Sequence, residues 1–106
     1  MKRIQENKIP PSTIEGTVGT VRVHDIIDDS IQAGVRIVMP NSDVPKPIHK
    51  HPERQILYVI EGTAEITNGK ETLQVKTGDF VFFEENEEHY VKTTNEEVKL
   101  FEIKFP

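Results

Sequence analysis

The chain has no cysteine and no tryptophan among its 106 residues. Without thiols there is neither a disulfide framework nor thiolate chemistry, so any metal must be held by histidine, carboxylate or amide groups. No apolar run approaches the roughly 20 residues that span a bilayer, which makes a membrane an unexpected partner. The opening MKRIQENKIPP carries charge but no apolar h-region, so no secretory signal is visible and a cytoplasmic location is the default expectation. A basic stripe is missing too, since 13 Lys and Arg stand against 18 Asp and Glu for a net charge of −5. Nucleic acid is therefore not an expected partner, because nothing is gathered to displace counterions from phosphates. Helical periodicity is absent over any stretch of about 11 residues.

What is present reads as β-structure around one modest core. Residues 1–15 are polar, carry Pro10-Pro11, and predict an arm or one short edge strand; residues 16–106 predict a single β-barrel domain. TVRVHDII (20–27) and AGVRIVMP (33–40) alternate and are rich in β-branched residues, with a turn at 28–30. NSDVPKP (41–47) predicts a stiff loop held extended by its prolines. QILYVIEG (55–62) is apolar on both faces, as suits a central strand covered on each side. Asn68-Gly69, between TAEIT and KETLQV, predicts a two-residue hairpin turn with φ > 0 at both positions. FVFF (80–83), HYVKTT (89–94) and VKLFEIKF (98–105) complete a set of about eight short strands, which means a small all-β barrel or two-sheet sandwich.

Two of the four histidines lie in HKHPERQ, residues 49–55. On extended backbone His49 and His51 leave the same face with Cα atoms roughly 7 Å apart, close enough to share one ion. A solvated loop is the competing reading of that pair. Parity lets either Glu53 or Gln55 join them, although Pro52, lacking an N–H, disfavours an unbroken ladder through 53. His89 opens a later strand, and spacing alone does not bring it to the pair.

The wider frame is His49-x-His51, three residues, Gln55, six residues, Gly62, and then Gly78, five residues, Glu84-x-Asn86, two residues, His89. This resembles the two-block signature of the cupin superfamily, over roughly residues 33–105. The resemblance implies a double-stranded β-helix (jelly-roll) barrel and one divalent metal ion held by His49, His51, Gln55 and His89. Position 55 holds Gln where the family has Glu; Asp43, Glu84 and Asn86 stand where it has Gly, Pro and Gly. A three-histidine centre with Gln55 as a donor behind it is the alternative. An all-neutral ligand set leaves the ion's +2 charge uncompensated by its ligands, which favours Lewis-acid chemistry over redox cycling. Zn, Ni, Mn, Fe and Cu all suit imidazole. The stretch HKHPERQILYVIEGTAEI also looks like the small cupins of pectin degradation, which ketonise unsaturated uronic acids. The resemblance thus implies a metalloenzyme that isomerises or tautomerises an anionic or sugar-derived small molecule. A cupin-type dioxygenase and a non-catalytic small-molecule-binding barrel remain alternatives, and a homodimer is expected.

Other residues have two readings each. Glu102 is an inward acid or base, or part of a solvated strand face. Arg36, among apolar neighbours, binds a substrate carboxylate from inside the barrel or points outward. Tyr58 and Tyr90 line a pocket or pack the barrel. Phe80, Phe82, Phe83 and Phe101 are read as core and interface, His24 as surface or structural, and residues 84–88 as a solvated turn.

Overall fold

The computed structural model describes the backbone of residues 1–49 and 51–106, and the side chains of residues 1–45 and 51–106. Alternating β-branched runs form ten strands among the described residues: β1 (Ser12–Glu15), β2 (Thr20–Asp28), β3 (Gln32–Val38), β4 (Asp43–His49), β5 (Arg54–Glu61), β6 (Thr63–Thr67), β7 (Thr72–Lys76), β8 (Phe80–Phe83), β9 (His89–Lys92) and β10 (Val98–Phe105). One 3-10 turn, Glu6–Lys8, precedes them. A six-stranded sheet runs β1-β2-β3-β10-β5-β8 and a four-stranded sheet runs β4-β9-β6-β7. Each pairing is antiparallel. The two sheets face one another as a jelly-roll barrel, the all-β class expected from the sequence. Among the described residues no helix is long and apolar enough to cross a membrane.

The interior is built by period-two alternation. Leu57 and Val59 of β5, Val98 and Leu100 of β10, Val38 of β3 and Ile66 of β6 are nearly or fully buried. Gly62 and Gly78 hold φ of +101° and +95°, left-handed values that side chains disfavour, and so reverse the chain between strands where the sequence placed turns.

Three local expectations are corrected. NSDVPKP is a strand from Asp43 onward, not a loop. Its prolines are tolerated because β4 is the edge of its sheet and its ladder to β9 breaks between Val44 and His49, so the missing N–H groups cost few ladder bonds. The Asn68-Gly69 hairpin has a four-residue loop, 68–71, and positive φ only at Gly69. The Asn68 side chain makes this loop: Oδ1 accepts from the N–H groups of Lys70 (2.9 Å) and Glu71 (2.8 Å), an Asx turn in place of the tight one. The outer face of β5 is not covered. Ile56 and Tyr58 are half-buried and Ile60 is exposed, because a two-sheet fold has one interior and, among the described residues, nothing else covers that side.

Candidate functional site

β5 and β9 bring the described motif residues together near one end of the barrel. Gln55, second in β5, points inward and is 1% exposed. His89, first in β9, is buried, and its ring lies 4.9 Å from that of His51 in an edge-on arrangement. His49 is the register partner of His89 across β4 and β9; its side chain lies outside the described residues. The Asn86 N–H donates to the His51 carbonyl at 2.8 Å, tying the turn before His89 to the first motif. Asn86 holds φ of 60°, so the Asn in the family's glycine position adopts a conformation it tolerates.

Hydrogen-bond chemistry fixes the direction of each donor group. His51 Nδ1 faces the Glu53 carbonyl at 3.1 Å and the Glu53 carboxylate at 3.3 Å. His89 Nδ1 faces the Glu87 carbonyl at 3.2 Å. Carbonyls and carboxylates only accept, so each Nδ1 carries the hydrogen, and a neutral ring then has its lone pair on Nε2. Gln55 Nε2 donates to Glu102 Oε1 at 2.6 Å, which turns the amide oxygen the other way, to 2.9 Å from His51 Nε2. With His51 neutral, two acceptors face each other at hydrogen-bond distance. A shared cation, a second proton on the ring, or the other tautomer with its hydrogen on Nε2 and the longer Nδ1 contact left unpaired, reconciles them. The donor set therefore fits a metal, with Glu53 on the far nitrogen of His51 rather than among the ligating atoms. Among the described residues no three His, Cys, Asp or Glu side chains converge as an ion site; the described donors are two imidazoles and an amide.

Behind Gln55 runs a buried charge network. Glu102 points inward and is 8% exposed, so its solvated reading is overturned. Arg36 is inward too, at 6% exposed. Its Nη1 donates to Asp25 Oδ1 at 2.6 Å, and its Nη2 lies 2.7 Å from Glu102 Oε2. That second contact is a charge pairing out of line with the N–H bond, leaving Oε2 without an aligned donor. Gln32 Nε2 donates to Asp25 Oδ2 at 3.1 Å. Arg36 is thus engaged by two carboxylates rather than poised for a substrate's. Asp25 was missed by the sequence reading; its signal was the alternation Val21-x-Val23-x-Asp25 on one face of β2.

These groups line a cavity of about 210 Å³. Val21, Val38, Leu57 and Leu100 make its apolar wall, and Asp28, Gln32 and Lys104 stand at its more exposed side. Tyr90 joins the lining, whereas Tyr58 lies on the outer face against Phe80, ring centroids 4.5 Å apart, so it is no pocket residue. Phe83 is core, while Phe80 and Phe82 are exposed. His24 is buried and structural, its Nδ1 3.2 Å from the Ile9 carbonyl. The 84–88 turn is solvent-exposed, as expected, with Glu87 alone half-buried; Glu87 accepts from Asn68 Nδ2 at 2.7 Å and from the Glu84 N–H at 2.9 Å. The Asn68 amide foremost, then the Glu84 N–H, holds the Glu87 carboxyl below the ordinary carboxylate range.

Residues 34–104 match the family model described as a cupin domain. A search of curated proteins by sequence finds no match. Among solved structures, a predicted oxalate decarboxylase from Thermotoga maritima superposes with a TM-score of 0.85 at 20% identity, covering 98% of each chain. The polyketide cyclase RemF from Streptomyces resistomycificus gives 0.83 at 21% identity, over 98% of this chain and 78% of that one. DMSP lyase DddQ from Ruegeria pomeroyi gives 0.66 at 24% identity, over 74% of this chain and 40% of that one.

Proposed function

The chain belongs to the cupin family, and on that footing we propose that it holds one divalent metal ion through His49, His51, Gln55 and His89 and isomerises or tautomerises a small molecule inside the barrel. The observation that carries the reading is the convergence of His51, His89 and Gln55, with His51 Nε2 2.9 Å from Gln55 Oε1 and the two imidazole rings 4.9 Å apart. A bound divalent ion supplies Lewis acidity, polarising a carbonyl or enol oxygen. The chain's own residues do the rest. Leu57, Leu100, Val21 and Val38 exclude water and grip the body of the occupant. Glu102, whose side chain lines the cavity, is the inward carboxylate nearest the centre and the candidate base for a substrate hydroxyl, once that hydroxyl displaces one of its present contacts. Because Arg36 is engaged, the lining favours a neutral or apolar body over a second carboxylate, and the uronate is one candidate among hydroxy-carbonyl compounds.

Elemental analysis of tag-free protein tests the centre. About one equivalent of a divalent metal is expected, with Gln55→Ala weakening affinity by roughly 10-fold or more. A metal-free protein after metal-supplemented growth sinks the reading. Activity is tested with an unsaturated uronate, following loss of the conjugated-enol absorbance. The names cyclase, decarboxylase and lyase among the structurally similar proteins set further classes to assay.

A binding barrel is the second reading, favoured by the fact that Asp25 and Arg36 are already engaged with each other. Recovery of a bound compound unchanged after prolonged incubation with metal-loaded protein supports it; conversion supports the enzyme. The proposed partner of the uncovered β5 face is a second copy of this chain, through Tyr58, Ile60, Phe80 and Phe82.

A further inference from the structure

Sequence alone left Gln55 as an unexplained departure from the carboxylate usual at its position. The structure supplies a reason on the opposite strand. Gln55 and Glu102 are diagonal neighbours on one inward face, since Gln55 registers with Lys104 and Leu57 with Glu102 across β5 and β10. Gln55 Nε2 donates to Glu102 Oε1 at 2.6 Å. That bond needs a donor at 55 and an acceptor at 102, and both side chains are buried.

Glu102 is in turn part of a charge row with Arg36 and Asp25. Two carboxylates against one guanidinium leave that row with a charge of −1. A carboxylate at 55 would set a further negative charge against Glu102, with two acceptors in contact and little water to screen them. Such a buried, unpaired charge is among the costliest arrangements in a protein interior. The reverse holds for orientation: a carboxylate at 102 cannot donate, so it forces the Gln55 oxygen toward His51.

We propose that Gln55 and Glu102 are one matched pair, in which the buried Glu102 carboxylate aims the Gln55 carbonyl at the histidines and excludes an acid from position 55. Glu102 is here a positioning residue, acting through Gln55. The negative charge that a carboxylate ligand would bring is kept, moved back by one hydrogen bond. A divalent ion held at Gln55 keeps a neutral ligand shell and strong Lewis acidity, while the centre with its charge row sums to +1. Exchanging the two residues preserves every match, because an amide at 102 can donate to an acid at 55 and accept from Arg36.

The orienting half rests on the metal reading of the site; the pairing half does not, and the test separates them. The natural chain, Gln55→Glu, Glu102→Gln and the double exchange are stripped with a chelator and melted at neutral pH, then titrated with Zn²⁺ alone by calorimetry. Each single variant is expected to melt below the natural chain, or not to fold, and the double exchange to recover most of the loss. Additive losses in the double exchange overturn the pair. For zinc, Glu102→Gln is expected to bind roughly 10–100-fold more weakly at a temperature where its far-UV spectrum is still that of the folded chain, which a purely structural Glu102 would not show. Unchanged zinc affinity in Glu102→Gln overturns the orienting role. If the natural chain takes up no zinc, the metal reading fails and the metal-free melts alone decide the pair.

Discussion

Arg36 is the residue whose surroundings depart furthest from its usual place at a protein surface. Its guanidinium is buried and held between Asp25 and Glu102, 2.6 and 2.7 Å away. Burying such groups is costly unless each is paired, and removing the central cation leaves two carboxylates without a counter-charge. Arg36→Leu is expected to lower stability by about 3–5 kcal/mol, read as a fall in the urea midpoint at unchanged slope. A loss within the ordinary surface range would show that the network is not closed in solution. Sequence could not choose this orientation for Arg36. Its strand-mates Val38 and Gly34 and the opposite-parity set Val35 and Ile37 are both apolar, so alternation fixes who shares a face without fixing which face is inside. Glu102 posed the same problem between Leu100 and Phe101, and only the pairing of β10 with β3 and β5 resolves it.

The hairpin of β6 and β7 carries its own lock at the element scale. Asn68 closes the loop through Oδ1 and reaches across to Glu87 through Nδ2, so one side chain joins the hairpin to the turn that delivers His89. Asn68→Ala removes these bonds and should cost about 1–2 kcal/mol in denaturant unfolding, where Asn68→Asp keeps the loop but not the Glu87 link. The link has a pH signature. The Glu87 carboxyl is held below the ordinary carboxylate range, first by the Asn68 amide. A depressed folded pKa contributes stability that is present above the unfolded value and lost as pH falls through the folded one. Unfolding followed from neutral to acid pH should therefore fall more steeply for the natural chain than for Glu87→Gln; parallel curves would deny the coupling. The existence of this hairpin was legible from alternation around Asn68-Gly69. Its loop length was not, because the Asx bonds and the distant Glu87 are tertiary. β4 was hidden for a related reason: Pro45 and Pro47 read as loop residues until the strand is known to lie at a sheet edge with a broken ladder.

At the scale of the molecule, the motif frame made the jelly roll and the gathering of His51, Gln55 and His89 legible, and these stand in the structure. The charge row was not legible, since Asp25, Arg36 and Glu102 come from three strands whose order only the fold establishes. The bare outer face was legible in part: Phe80 and Phe82 read as core and interface residues, and they stand 71% and 49% exposed beside Ile60. A contiguous apolar surface of this kind is expected to be covered by association, here by the same face of a second chain about a two-fold axis. Light scattering behind size-exclusion chromatography should give a dimer for the natural chain and a monomer for Phe80→Glu/Phe82→Glu with the fold intact. A natural chain that is monomeric at high concentration would remove this partner.

The position of β10 has a consequence for synthesis. It is last of the ten in chain order, yet it lies between β3 and β5 in the middle of the larger sheet. A nascent chain leaving the ribosome from its N-terminus therefore carries β1–β3 and β5–β8 as two unjoined ribbons with open edges. Only when residues 98–105 emerge can the ribbons be stitched together, and the same strand brings Glu102 to Gln55 and Arg36. Closure of the barrel and charging of its interior are a single event that waits for β10.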